Sequence, residues 1–156
     1  MHRKANFRFR LNIKIDIKQL KKLEKQLLKA GPKTTRHAQL ELKATAFDTL
    51  ATAKALAPVD KGALRGSMAS EPITKEAYKI GNNKDYAPYV EFGTGLKVST
   101  PAEWNAFALQ FKSPKEAGAA LRNGQHAQPF LYPAFKEGRK LLVKRVTQVI
   151  KDFKLK

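Results

Sequence analysis

The feature that most constrains this chain is a change of hydrophobic period at Asp16. Before it, Phe7, Phe9, Leu11, Ile13 and Ile15 alternate with Arg8, Arg10, Asn12 and Lys14. A period of two puts every second side chain on one face, so the stretch is expected to be a strand with one buried side. Its other face is basic, which discourages pairing with stray edges. After Asp16 the period becomes helical. Ile17, Leu20, Leu23, Leu27 and Leu28 form an apolar stripe, with Lys18, Lys21, Lys22, Lys25 and Lys29 on the other side. Asp16 is placed to cap this helix, with Gln19 at the reciprocal position. Gly31-Pro32 ends it, because the residue before a proline avoids helical geometry.

A longer helix is expected from about Thr34 to Ala57. Six alanines at 44, 46, 51, 53, 55 and 57 favour it, Leu40, Phe47 and Leu50 give it bulk, and Pro58 closes it. The next residues, Val59-Asp60-Lys61-Gly62, have turn chemistry. Two strands are expected at Leu64 to Ile73 and Ala77 to Ile80, the first fraying or bulging near Ser70, Glu71 and Pro72. Asp85 to Gly93 reads as a short helix capped by Asp85, with Pro88 in its first turn and Tyr86, Tyr89 and Val90 on one face. Two hydroxyl-Pro-x-Glu signals follow, at Thr100 to Glu103 and Ser113 to Glu116, with Trp104, Phe107 and Phe111 as a stripe on the first short helix. A passage at Gln128 to Pro133 then leads into a last helix, with Leu142, Val146, Val149, Ile150 and Phe153 on one face.

The expected fold class is α+β: a small, mainly antiparallel sheet packed by a long helix pair and a C-terminal helix, with a helical excursion. The expected organisation is one domain over 1–156, with 1–6 and 154–156 flexible and 97–125 a helical insertion. At 156 residues and 42% hydrophobic composition, such a domain can bury a core without a covalent staple. There is no cysteine, which excludes disulfides and thiolate metal sites. No targeting segment or apolar span is visible, and a soluble chain without membrane contact is expected.

The charge is extreme: 31 basic against 13 acidic residues, formally +18. Such a field favours polyanions or acidic partners. Phe7 and Phe9 between Arg8 and Arg10 look superficially like a base-stacking platform, but they fit better as the inner face of the strand. Catalytic patterns are missing. His2, His37 and His126 have no metal-ligand spacing, no serine sits in a nucleophile elbow, and Gly93-Thr94-Gly95 lacks the third glycine of a dinucleotide fingerprint. The few scattered acids do not suggest a paired-carboxylate site. No enzyme activity, cofactor or metal is expected. A basic nucleic-acid-binding module is the alternative.

Three passages carry a resemblance. They are Ala57-Pro58-Val59-Asp60-Lys61-Gly62-Ala63-Leu64-Arg65-Gly66-Ser67-Met68, Tyr86-Ala87-Pro88-Tyr89-Val90-Glu91-Phe92-Gly93-Thr94-Gly95 and Gln128-Pro129-Phe130-Leu131-Tyr132-Pro133-Ala134. In this order they resemble the neck or tail-completion proteins of long-tailed bacteriophages and prophages, also described as head–tail joining or minor tail proteins. Lys61 stands where that family usually has Thr, and the excursion at 97–125 is longer than in many members.

The resemblance implies a virion structural protein, made in the bacterial host cytoplasm. It would form a homo-oligomeric ring in the neck, between a head-closure or connector protein and a tail terminator or tail tube protein. It implies no catalytic residues. Candidate motif and interface residues are Asp60, Gly62, Leu64, Tyr86, Tyr89, Glu91, Phe92, Gly93, Thr94, Gly95, Pro129 and Phe130. Lys18, Lys21, Lys22 and Lys25 are candidates for transient contact with genomic DNA or for binding an acidic partner.

Overall fold

A computed structural model describes residues 17–94 and 124–154, leaving aside the side chains of 17–21, 24 and 154. The expected strand at 7–15, the Asp16 cap with its Gln19 partner, Gly95, and the excursion as far as residue 123 lie outside the described residues. So do the terminal tails at 1–6 and 155–156. The described residues form five helices and one two-stranded antiparallel sheet, an α+β arrangement. In chain order these are α1 (Ile17–Ala30), α2 (Pro32–Leu56), α3 (Ala63–Gly66), β1 (Ala69–Thr74), β2 (Ala77–Gly81), α4 (Ala87–Phe92) and α5 (Leu131–Lys154).

The α2–α5 pair is the backbone of the fold, and α1 packs on both members. The pairing is antiparallel. Ala53 and Ala57 share a cluster with Leu131 and Ala134, whereas Ala38, earlier in α2, meets Val146 and Ile150 late in α5. Small residues set the separation. The buried positions of α2 are Thr34, Ala38, Thr45, Ala46, Thr49 and Ala53. Buried threonines are tolerated because their hydroxyls find main-chain acceptors: Thr34 Oγ1 donates across the joint to the Ala30 carbonyl at the end of α1, and Thr49 Oγ1 donates back along α2 to the Thr45 carbonyl. Gly138 faces Thr49 so closely that a Cβ there would overlap the Thr49 hydroxyl and lie 3.1 Å from its Cβ.

Of the bulk expected of α2, Leu50 packs against the core, but Leu40 and Phe47 are turned the other way. Leu40 is 56% exposed and Phe47 50% exposed, while the alanines and threonines take the core. A crossing this close leaves no room for a phenyl or isobutyl group. Arg145 ties the same two helices at the surface, reaching Asp48 Oδ2 at 2.7 Å, Glu41 Oε2 at 3.6 Å and Thr45 Oγ1 at 3.2 Å. All three charged partners keep partial exposure, so solvent screening reduces what this cluster contributes.

Four boundaries differ from expectation, one being the start of α5, at Leu131 inside the expected Gln128–Pro133 passage. Pro32 not only ends α1 but stands at the first position of α2, where its missing N–H costs nothing, so α2 starts two residues early. Leu64 to Met68 is not strand. Gly62, at φ 71°, turns the chain into the helical turn α3, and the strand begins only at Ala69. Asp85 is not the cap of α4: Tyr86 holds that position, and no side chain caps the helix. The hairpin pairs Ala69 with Gly81 and Glu71 with Lys79, then shifts register between Pro72 and Thr74. That irregularity falls beside the proline that lacks a ladder donor, as its sequence suggests.

The close crossing makes a signed prediction. In an open helix Gly→Ala stabilises by about 1 kcal/mol. Here Gly138→Ala is expected to destabilise by about 1–3 kcal/mol through overpacking, read as a lowered denaturant midpoint. Adding Thr49→Ala in the same chain should restore part of the loss.

Candidate functional site

Three stretches separate in sequence form one cluster. Ala57, Leu64 and Met68 come from the turn after α2, Ala87, Val90 and Phe92 from α4, and Phe130, Leu131 and Ala134 from the start of α5, all packed with Ala53. Phe92 and Phe130 are among the largest fully buried side chains. Burying each contributes about 1.5–3 kcal/mol, so these aromatic residues fix the relative placement of α4 and α5.

A single carboxylate directs this junction. Glu91 is 1% exposed, and its oxygens accept three backbone hydrogen bonds from the start of α5. Phe130 N–H donates to Oε2 at 2.9 Å, Leu131 N–H to Oε2 at 2.8 Å and Tyr132 N–H to Oε1 at 2.8 Å. The first N–H groups of a helix have no partner within it, and the helix dipole places partial positive charge there. Glu91 supplies both the acceptors and the negative charge from a segment about forty residues away. Burial pushes its carboxyl above the ordinary carboxylate range, and the hydrogen bonds from Leu131, Phe130 and Tyr132 pull the other way.

Further backbone bonds extend the clamp. Gln128 N–H donates to the Val90 carbonyl at 2.8 Å. Thr94 N–H donates to the Gln125 carbonyl at 2.9 Å, and Gln125 N–H donates back to Thr94 Oγ1 at 2.7 Å. Gly93, at φ 76° and ψ −174°, ends α4 and aims Thr94 at its partner. A side chain at that position would strain the turn, which is the physical content of the glycine.

Beside the clamp lies a cleft of about 490 Å³, walled by Pro58 to Leu64, Tyr86, Val90, Gln125 and Gln128. Its rim carries Val59, 60% exposed, and Tyr86, 45% exposed. Tyr89 is 44% exposed, so neither tyrosine belongs to the core. No helix among the described residues is long and apolar enough to cross a membrane.

The candidate residues thus separate by position. Leu64, Glu91, Phe92, Gly93 and Phe130 are interior, Gly62 shapes a turn, and Thr94 is half-buried in the clamp. Asp60, Tyr86, Tyr89 and Pro129 face outward. Lys22 and Lys25 are exposed on α1, away from this cluster, while the side chains of Lys18 and Lys21 lie outside the described residues. His37 and His126 are exposed, and His37 rests against Phe153 with ring centres 5.0 Å apart.

Sequence reasoning placed Glu91 in a motif but missed what it does. Two signals were available. Glu91 is a lone acid within an apolar run, and α5 begins at Phe130-Leu131 with no Ser, Thr, Asp or Asn to cap it. The Arg145 cluster was missed as well, because Arg145 reads as one more basic residue on a polar face.

Residues 21–93 match the family described as "Bacteriophage HK97-gp10, putative tail-component". The matched stretch is similar to that family over a little under half of the chain. The matched span takes in the turn at Asp60 and all of α4. No curated protein and no solved structure matches the chain. Within the matched stretch, Glu91 reaches beyond residue 93 through all three of its hydrogen-bond donors, as Val90 does through Gln128 and Asp48, Glu41 and Thr45 do through Arg145.

Replacing Glu91 tests the clamp. Glu91→Gln presents an amide N–H₂ where an acceptor is needed and is expected to cost about 2–4 kcal/mol, one or two buried donors being left unpaired. Glu91→Ala should cost more. Amide hydrogen exchange at Phe130, Leu131 and Tyr132 should accelerate in the Gln variant before exchange in the middle of α2 does.

Proposed function

We propose that this chain is a structural subunit of the neck of a long-tailed bacteriophage. It forms a ring between the capsid-side connector and the tail tube and performs no reaction. The observation that carries this reading is the match of residues 21–93 to a phage tail-component family. The use of Glu91 supports it. This fully buried carboxylate is engaged by main-chain donors and caps a helix, which is a structural task. We take residues 1–156 as one domain, with 97–125 as an insertion that touches parts particular to this virion.

The partners in this reading are other copies of the chain, a head-closure or connector protein on one side, and a tail terminator or tail tube protein on the other. Genomic DNA passes through the ring and makes transient, sequence-independent contact with it. The protein is made in the host cytoplasm and resides in the virion neck. Tyr86 and Tyr89 suit interface duty, being large, amphipathic and partly exposed.

The experiment is mass analysis and imaging of purified particles, with this chain expected at the head–tail junction. Particles that lack it, or that are infectious without it, would contradict the reading. Tyr86→Ala and Tyr89→Ala should change the unfolding free energy by no more than about 1 kcal/mol, yet reduce the yield of joined particles.

The charge favours a second reading strongly enough to need its own test. Helices α1, α2 and α5 together hold sixteen basic and five acidic residues. If the chain were a nucleic-acid-binding module, the isolated protein would bind duplex DNA tightly, with affinity falling steeply as salt rises. In the neck reading, reversing Lys18, Lys21, Lys22 and Lys25 to Glu together impairs joining or DNA ejection. Unchanged joining and ejection would exclude both a DNA-facing and an acid-partner role for these lysines.

A further inference from the structure

We infer that copies of this chain contact one another through the face formed by the Pro58–Leu64 turn and Tyr86. The inference rests on the ring reading above and adds the surface that the ring would use. Its starting point is electrostatic. Two chains of formal charge +18 repel wherever their basic surfaces approach. A contact between copies must therefore use a surface on which that charge is absent.

The charge is unevenly divided. Residues 57–94 hold five basic residues (Lys61, Arg65, Lys75, Lys79, Lys84) and five acidic ones (Asp60, Glu71, Glu76, Asp85, Glu91). With Glu91 buried as a helix cap, the surface of this segment still carries five positive against four negative charges. By contrast, α1, α2 and α5 hold an excess of eleven positive charges. The near-neutral segment also exposes large apolar groups, Val59 and Tyr86, at the mouth of the cleft.

That combination is what an interface core requires: few net charges, an aromatic residue with its polar end in water, and a concavity that can accept a side chain. The exposed apolar residues of the long helices, Leu28 on α1 and Leu40, Phe47 and Leu56 on α2, lie in the basic layer, where a second copy meets repulsion. Charge thus sets residues 57–94 apart from the long helices, and within that segment Val59 and Tyr86 line a cleft whereas the exposed Ile73 and Tyr89 do not, which selects the cleft face for a second copy.

The absence of cysteine makes the test clean. Val59→Cys gives one thiol in the full chain, at an exposed position where folding should be unaffected. The thiol is labelled with a maleimide photo-crosslinker, and the variant's unfolding midpoint is compared with that of the parent. In assembled particles the crosslinked product is expected to be a peptide of this same chain from another copy. Crosslinks only to a different virion protein, only within one chain, or to nothing would overturn the assignment while leaving the neck reading intact. Absence of the chain from particles would remove both.

Salt gives an independent readout. Self-association through a near-neutral face of a basic protein should strengthen as the screening length falls from about 30 Å to about 8 Å, whereas contact with a polyanion weakens. Self-association that weakens with salt would overturn the inference. So would Tyr86→Lys and Val59→Lys variants that associate as tightly as the parent.

Discussion

The structure depends on one carboxylate placed at the start of another segment's helix. Helix α5 begins without a side-chain cap of its own, since Phe130 is buried and Gln128-Pro129 offers no hydroxyl or short acid at the cap position. Its first N–H groups would be unpaired in the interior, each at a cost of about 1–3 kcal/mol. Glu91 satisfies three of them from α4. Because the two ends are about forty residues apart, the bond is also topological. It fixes where the chain returns after the residues between Thr94 and Gly124, whatever they do. The net stabilisation is smaller than the hydrogen bonds suggest, because desolvating a carboxylate itself costs several kcal/mol. What the arrangement secures is uniqueness. Only one register of α5 presents Phe130, Leu131 and Tyr132 N–H to Glu91, and that register also seats Phe130 and Ala134 in the core.

With α5 fixed at its start, its packing on α2 follows from the size of the residues. Gly138 against Thr49, and alanines at 38, 46 and 53, bring the helices close. The close approach then decides the fate of everything larger. Leu40 and Phe47 must point away, and Arg145 rather than an apolar side chain bridges the margin to Asp48 and Glu41. Such helices gain stability from many short contacts, which explains how a core containing buried threonines can still hold. The hydroxyls of Thr34 and Thr49 are already bonded to main-chain carbonyls, of Ala30 and Thr45 respectively.

Much of this was legible in the sequence wherever a local rule governs. Gly31-Pro32 and Pro58 bound α2, the alternation at Ala77 to Ile80 is a strand, and Pro72 marks the place where the hairpin loses register. The failures share a cause. Leu64 to Met68 looks extended by residue type, but Gly62 in a left-handed conformation and the packing of Leu64 and Met68 under Phe92 make it a helical turn. Leu40 and Phe47 look like core until the partner helix is known. Glu91 could be read as a motif residue but not as a cap, because the lone acid and the uncapped helix start are both visible in the sequence while nothing local joins two segments about forty residues apart. Three motifs were recognisable one by one. That they converge on one cluster was not, since convergence is a property of the tertiary path.

The division of charge follows from the same architecture. The interior junction of α3, α4 and the start of α5 is built from apolar groups and main-chain hydrogen bonds, so it demands few charges around it. The long helices need a solvated outer face and fill it with lysine. The described basic side chains of α1, α2 and α5 lie mostly on the outer faces of these helices, where water and salt screen them. The surface beside the motifs is left almost neutral by the rule that made those motifs: tight turns, a short helix and a buried acid. In the proposed neck role, handling a polyanion and holding copies of the chain together would call for different surfaces. Separating lysine-rich helices from a charge-balanced turn gives each one its own.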